Sequence, residues 1–250
     1  MDPNELVALF ENVANGIGEE LRGLDNFGLV EGSSEQYQHD VVADQRAVQM
    51  LLDGGLGVVS EESGVHASDR SIMAVVDPID GSTNASHHLS YFNTSIAAVD
   101  DEGLLACLVR SQATSRTWAA IRGGGAYVDS YRIMASHVTA MDQAIIAFND
   151  LPPAHLGWRQ FRVMGATALD LAHVAQGNFD AFGDASAAGN SPWDYLAGVL
   201  LVREAGGMTW DLDGQELVTI EHSAKRKIFA AGNQQLADQL HDRFVAARQD

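Results

Sequence analysis

Eight consecutive residues, Asp77-Pro-Ile-Asp80-Gly-Ser-Thr-Asn84, limit what this chain can fold into more than any other stretch. They follow the apolar, partly β-branched run Ser71-Ile-Met-Ala-Val-Val76, which reads as a buried strand delivering Asp77 to the edge of a sheet. Pro78 fixes its own φ and removes one amide donor, which favours a sharp exit from the strand. With that bend Asp77 and Asp80 can converge, and the carbonyl of Ile79 adds a third hard oxygen, a set suited to Mg²⁺. If a helix starts at Gly81, Ser82 and Thr83, its first amides form an anion-binding terminus beside the cations, as a phosphate ester requires. Taken alone, the same letters also spell an Asp-Pro turn followed by an ordinary helix cap.

Composition narrows the partners. The formal net charge is −19 and the chain has two lysines, which speaks against nucleic-acid or anionic-membrane binding. An acidic protein that handles a phosphate ester must reverse the local field, and divalent cations are the available means. No run of about 18 apolar residues occurs, and Met1-Asp-Pro-Asn-Glu5 lacks the basic start of a secretory signal. The lone Cys107 lies in the apolar run Leu104-Leu-Ala-Cys-Leu-Val109 and reads as packing. Together these give the expectation of a soluble, cytoplasmic protein.

Asp2-Pro3-Asn4-Glu5 supplies a cap, a first-turn proline and a glutamate, and Leu6, Phe10, Val13, Ile17 and Leu21 continue at helical spacing. A second helix is predicted from about Asp40 to Leu52, with Asp44 projecting from its first turns. Gly57-Val-Val-Ser60 then reads as a strand ending in Glu61-Glu62, of which only one can face a given site; alone, this pair reads first as a solvated turn. Short β-like runs between Thr94 and Val128, broken by polar and glycine turns, predict an antiparallel meander. From about Arg132 strands alternate with helices, which divides the chain into an α+β half, 1–134, and an α/β half, 135–250. Ser191-Pro192 caps a strong helix with Asp194 in its first turn, where capping by itself would account for the carboxylate.

Three separated pieces now match one family in order: Ser60-Glu61-Glu62-Ser63, Asp77-Pro-Ile-Asp80-Gly-Ser-Thr-Asn84, and Trp193-Asp194-Tyr-Leu-Ala-Gly198 running into Glu204-Ala-Gly-Gly207. The chain resembles the inositol monophosphatase family, and Val163-Met-Gly165-Ala-Thr-Ala168 and Ala175-Gln-Gly177-Asn-Phe-Asp180 extend the agreement over nearly its whole length. The resemblance implies a five-layer α-β-α-β-α sandwich of the type shared with fructose bisphosphatases. It implies two or three Mg²⁺ per site, one held by Glu61, Asp77 and the Ile79 carbonyl and another by Asp77, Asp80 and Asp194. Glu61 and Ser82 would orient and activate the attacking water, with Asp44 supporting the Ser82 hydroxyl. Gly81, Ser82 and Thr83, beside Asp80, would cradle the phosphate, and Gly165, Thr167 and Asp184 fall where the family meets the alcohol part of its substrate.

The resemblance implies Mg²⁺-dependent, lithium-sensitive hydrolysis of a small phosphate monoester, inositol monophosphate or a similar polyol phosphate. Sugar bisphosphates, adenosine bisphosphate and histidinol phosphate are alternative substrates on the same fold, and a non-catalytic partner protein is a different class. Two departures stand out. The family's longer upstream segment is compressed to Asp40-Val-Val-Ala-Asp44, and Asn149 to Trp158, with two prolines and a glycine, replaces a helix. Losing that helix removes a wall, predicting a permissive site, and part of the surface of the family's homodimer.

Overall fold

The computed structural model describes residues 1–24, 27–30 and 37–248. The N-terminal cap forms as the sequence requires: Asp2 Oδ1 accepts from the Asn4 amide (2.8 Å), and Glu5 accepts from the Asp2 amide (2.9 Å). Helix α1, Pro3–Gly23, buries Leu6, Phe10, Val13, Ile17 and Leu21 on one stripe, and α2, Gln38–Asp53, buries Ala43, Ala47, Val48 and Leu51. These two helices pack on one face of an eight-stranded sheet.

That sheet comprises β1, Gly57–Ser60; β2, Gly64–His66; β3, Met73–Asp80; β4, Asn93–Asp100; β5, Gly103–Ser111; β6, Thr117–Ile121; β7, Gly125–Val128; and β8, Tyr131–Arg132. The strand order is β2-β1-β3-β4-β5-β6-β7-β8. From β3 onward every pairing is antiparallel, the predicted meander, whereas β1 and β3 run parallel. The cause is local: β2 folds back on β1 as a hairpin, so the chain re-enters the sheet in the direction of β1 on its other side.

Between β3 and β4 the one-turn helix α3, Ser82–Ser86, follows the opening motif. The second sheet, in order β10-β9-β11-β13-β12, is mixed and holds β9, Ile145–Phe148; β10, Gln160–Val163; β11, Ala181–Gly183; β12, Met208–Asp211; and β13, Ile228–Ala231. Helices α4, Thr167–Ala175, and α5, Pro192–Glu204, lie between the sheets, and α6, Gln234–Ala247, covers the far side of the second. The layers therefore run α-β-α-β-α. The middle layer is buried on both sides: α5 buries ten of its thirteen residues, so it has no polar stripe to offer solvent. No described helix is long and apolar enough to cross a membrane.

Residues 149–158 form no helix, as the two prolines dictate. They are not a gap, however. Leu156 and Trp158 are buried with Phe148 beneath α6, and Asn149 Oδ1 accepts from the Ala185 amide (3.0 Å).

Candidate active site

The site is built at a fault in a strand. Alternation along β3 would send Asp77 and Asp80 to opposite faces. Instead Asp77 pairs with Ser95 and Asp80 with Asn93, three steps on β3 against two on β4, so a bulge at Pro78-Ile79 brings both acids to one side. Asp77 Oδ1 accepts from the Ile79 amide (3.0 Å), and Thr94 Oγ1 donates to the Pro78 carbonyl (2.8 Å), which fixes the bulge.

Asp80 joins the two halves of the molecule. Its oxygens accept from Asn93 Nδ2 (2.8 Å) and from the amides of Thr167 (3.2 Å) and Ala168 (2.7 Å), the first turn of α4, where a helix favours negative charge. Burial outweighs those donors and raises its pKa to about 6. Asp194 caps its own helix, its Oδ2 accepting from the Ser191 amide (2.7 Å). Glu61 lies just past β1; much of its surface is exposed, but its carboxyl end turns in among the other acids, and loss of water there raises it to about 7 despite a hydrogen bond with Asp77. Burial, and then the charges of Glu61, Asp80 and Asp194, push Asp77 well above the carboxylate range, and burial followed by Glu61 and Asp80 does the same to Asp194.

Four mutually repelling acids and the Ile79 carbonyl form a hard-oxygen set, which fits divalent cations of the Mg²⁺ type. Among the described residues, no three His, Cys, Asp or Glu side chains are placed so that they could together hold an ion; several of these oxygens rest on protein donors instead. The acids also line neither of two sizeable hollows in the described structure. Those cavities, of about 820 and 740 Å³, adjoin the end of α5 near Arg122 and the α1 to β7 surface.

Gly81 opens α3 with φ +91, and a Cβ there would meet the Tyr91 carbonyl at 3.1 Å and the Gly165 carbonyl at 3.2 Å. Glycine is thus required by conformation and by space. Gly81→Ala is expected to lower stability by at least about 1–2 kcal/mol, the left-handed penalty alone, seen as a drop of several degrees in a thermal melt. An unchanged melting temperature would refute the reading.

One expected contact is corrected. The Ser82 hydroxyl lies 2.8 Å from Asp40 Oδ1 and 2.8 Å from the Ile79 carbonyl, so the carboxylate supporting it is Asp40. Asp44, one helical turn further along α2, instead accepts from the hydroxyl of Ser60. Asp40 and Asp44 share one helix face, and Asp44 stands nearer β1 while Asp40 stands nearer α3. Asp184 is fully enclosed, accepting from Asn190 Nδ2 and the Ser186 amide (both 2.8 Å), which ties it into the 184–191 loop. Thr167 is also buried, giving its hydroxyl to Asn190 (3.1 Å), whereas Gly165 is exposed at the rim. Asn93, Asn190 and Asp40 are site-building residues that the sequence reading passed over. Only Asp40 carried a signal, its spacing of four from Asp44.

This sandwich, with acids gathered where a bulged strand meets two helix starts, is the inositol monophosphatase and fructose bisphosphatase fold class. The chain belongs to the inositol monophosphatase family, whose model matches residues 2–249. It is 35% identical over 172 residues to the Nus factor SuhB of Salmonella typhimurium, covering 63% of this chain and 63% of that protein. It is 31% identical over 227 residues to an inositol-1-monophosphatase of Caulobacter vibrioides, covering 83% and 86%. Among solved structures, a hypothetical protein from Pyrococcus horikoshii with similarities for inositol-1 monophosphatase superimposes with a TM-score of 0.88 at 26% identity, covering 97% of this chain and 99% of that one.

Proposed function

We propose that the protein is a Mg²⁺-dependent phosphomonoesterase acting on inositol monophosphate or a similar small polyol phosphate. The observation that carries the reading is the β3 bulge, which turns Asp77 and Asp80 to the same side as Glu61 and Asp194. Glu61, Asp77, Asp80, Asp194 and the Ile79 carbonyl would hold the cations. When bound, the cations supply neutralisation of the phosphate charge and acidify the attacking water. The chain's own part is orientation. Asp40 accepts from the Ser82 hydroxyl, whose oxygen, with Glu61, would be available to accept a hydrogen bond from the water. The amides that open α3, at Gly81 to Thr83, are the groups available for the phosphate. The exposed Gly165 rim supports a small alcohol group, held by few contacts.

Relatives named as Nus factors favour a second reading, a partner protein on the same fold. The complete acid set supports catalysis. Phosphate release from a panel of esters, in Mg²⁺ and in excess chelator, tests the choice. Release is expected only with Mg²⁺, and Asp194→Asn should lower it by more than about a hundredfold, beyond what losing an outer partner of a metal ligand costs. Full activity in chelator, or none from any ester with Mg²⁺, overturns the proposal.

A further inference from the structure

The four acids belong to two bodies of structure, and a cation site tolerates only about 0.5 Å of misplacement between its ligands. Asp80 is tied to the middle helices by the Thr167 and Ala168 amides, and β4 is tied there by Ser95 Oγ donating to the Trp193 carbonyl (3.0 Å). Glu61 depends on a different tie. Its amide donates to the Val76 carbonyl (3.2 Å), and the residue before it is gripped from both sides. Ser60, fully buried, gives its hydroxyl to Asp44 of α2, while its carbonyl lies 3.1 Å from His222 Nε2.

His222 comes from the irregular segment between β12 and β13, in the other half of the chain. Its ring packs on Trp193, with centroids 4.7 Å apart and planes inclined at 47°. A carbonyl only accepts, so the Ser60 contact fixes a hydrogen on Nε2. One half-buried side chain thereby spans from the residue preceding Glu61 to the residue preceding Asp194.

We propose that His222 is a positioning residue that sets Glu61 against Asp194, and through that spacing sets the affinity of the site for its divalent cations. This rests on the metal-dependent reading above. His222 touches neither the cations nor the substrate; it acts through the Ser60 carbonyl and the Trp193 ring. A histidine that merely fills space would, on replacement, lower the melting temperature and leave the cation affinity of the folded protein unchanged.

The test is calorimetric titration of Mg²⁺, and separately of Mn²⁺, into the metal-free full chain, as wild type, His222→Ala, His222→Phe and His222→Gln. His222→Ala is expected to bind each cation at least about tenfold more weakly, the usual cost of removing an outer partner of a metal site. His222→Phe keeps a ring on Trp193 but has no donor, and should weaken binding in the same way; it carries the test if the alanine variant fails to fold. The amide of His222→Gln can donate to Ser60 and should bind nearly as wild type. At saturating Mg²⁺ the KM for an ester should stay at the wild-type value. Unaltered cation affinity in both His222→Ala and His222→Phe overturns the inference while leaving the phosphatase reading intact. A wild-type chain that binds neither cation overturns both.

Discussion

In excess chelator the protein is expected to be markedly less stable at pH 8 than at pH 5, and to recover when Mg²⁺ is added. Burial raises Asp40 and Asp80 to about 6 and Glu61 to about 7, and it raises Asp77 and Asp194 in the same direction. Unfolded, these acids ionise near pH 4. Between about pH 4 and 7 the folded chain therefore binds more protons than the unfolded one, and stability falls as pH rises through that window. Asp40 and Asp80, both nearly enclosed, would each contribute about 3 kcal/mol to the loss if they titrated alone, and coupling among the acids makes the sum smaller. Cations bind the ionised acids, so rescue by Mg²⁺ should grow with pH. Urea melts at pH 5, 6, 7 and 8 measure the effect. The general repulsion of a chain at −19 has the same sign, but moderate salt screens surface charge and leaves buried acids largely unscreened. A slope that is flat or rising in chelator and salt would remove the case for a strained acid cluster.

The second large effect separates two neighbouring aspartates. Asp40→Asn is expected to reduce kcat by about 10²–10³-fold with little change in KM, the range for losing a group that orients proton transfer. A hydroxyl has one hydrogen, and Ser82 has two acceptors at 2.8 Å. An ionised Asp40 wins that hydrogen, since a bond to a carboxylate is the stronger, and leaves the Ser82 oxygen free to accept from a water. A neutral amide at this position forfeits the preference: its Nδ2–H can donate to the Ser82 oxygen and take the lone pair the water needs, while the hydroxyl hydrogen turns to the Ile79 carbonyl. Asp44→Asn should chiefly cost stability, about 1–2 kcal/mol from a weakened bond to Ser60, with a smaller effect on turnover. Paired kinetics and denaturant melts distinguish them. If Asp44→Asn loses more kcat than Asp40→Asn, the hydrogen-bond assignment at Ser82 is wrong.

What was legible in the sequence was what neighbours along the chain decide. The Asp2 box, the buried run before Asp77 and the Ser191-Pro192 start of α5 are local signals, and each appears in the fold where the sequence puts it, whereas at Pro78 the expected exit does not occur: the strand bulges and continues to Asp80. The ordered motifs carried the family and its layers. Partner choice was not legible. Asp40 and Asp44 differ by one helical turn, and which of them meets Ser82 depends on how α2 lies against α3, more than forty positions away in the chain. The resemblance puts Asp184 beside the alcohol part of the substrate, and its enclosure depends on the return of Asn190, which spacing does not announce. The parallel β1 and β3 pairing likewise follows from a hairpin whose register alternation alone cannot specify.

The middle layer carries a consequence for anyone who would divide this molecule. One buried cluster runs from Val59, Val75 and Val109 of the first sheet through Leu171, Leu196 and Leu201 to Phe182 and Ile228 of the second. A cut in the link between β8 and β9 would strip the first sheet of the helices that roof its inner face, leaving Trp118, Val75 and Cys107 open to water. The separated C-terminal piece would keep α4 and α5 with half of their apolar surface uncovered. Fragments expressed singly should aggregate, whereas the same two expressed together should reassemble, because each is the other's missing solvent shield.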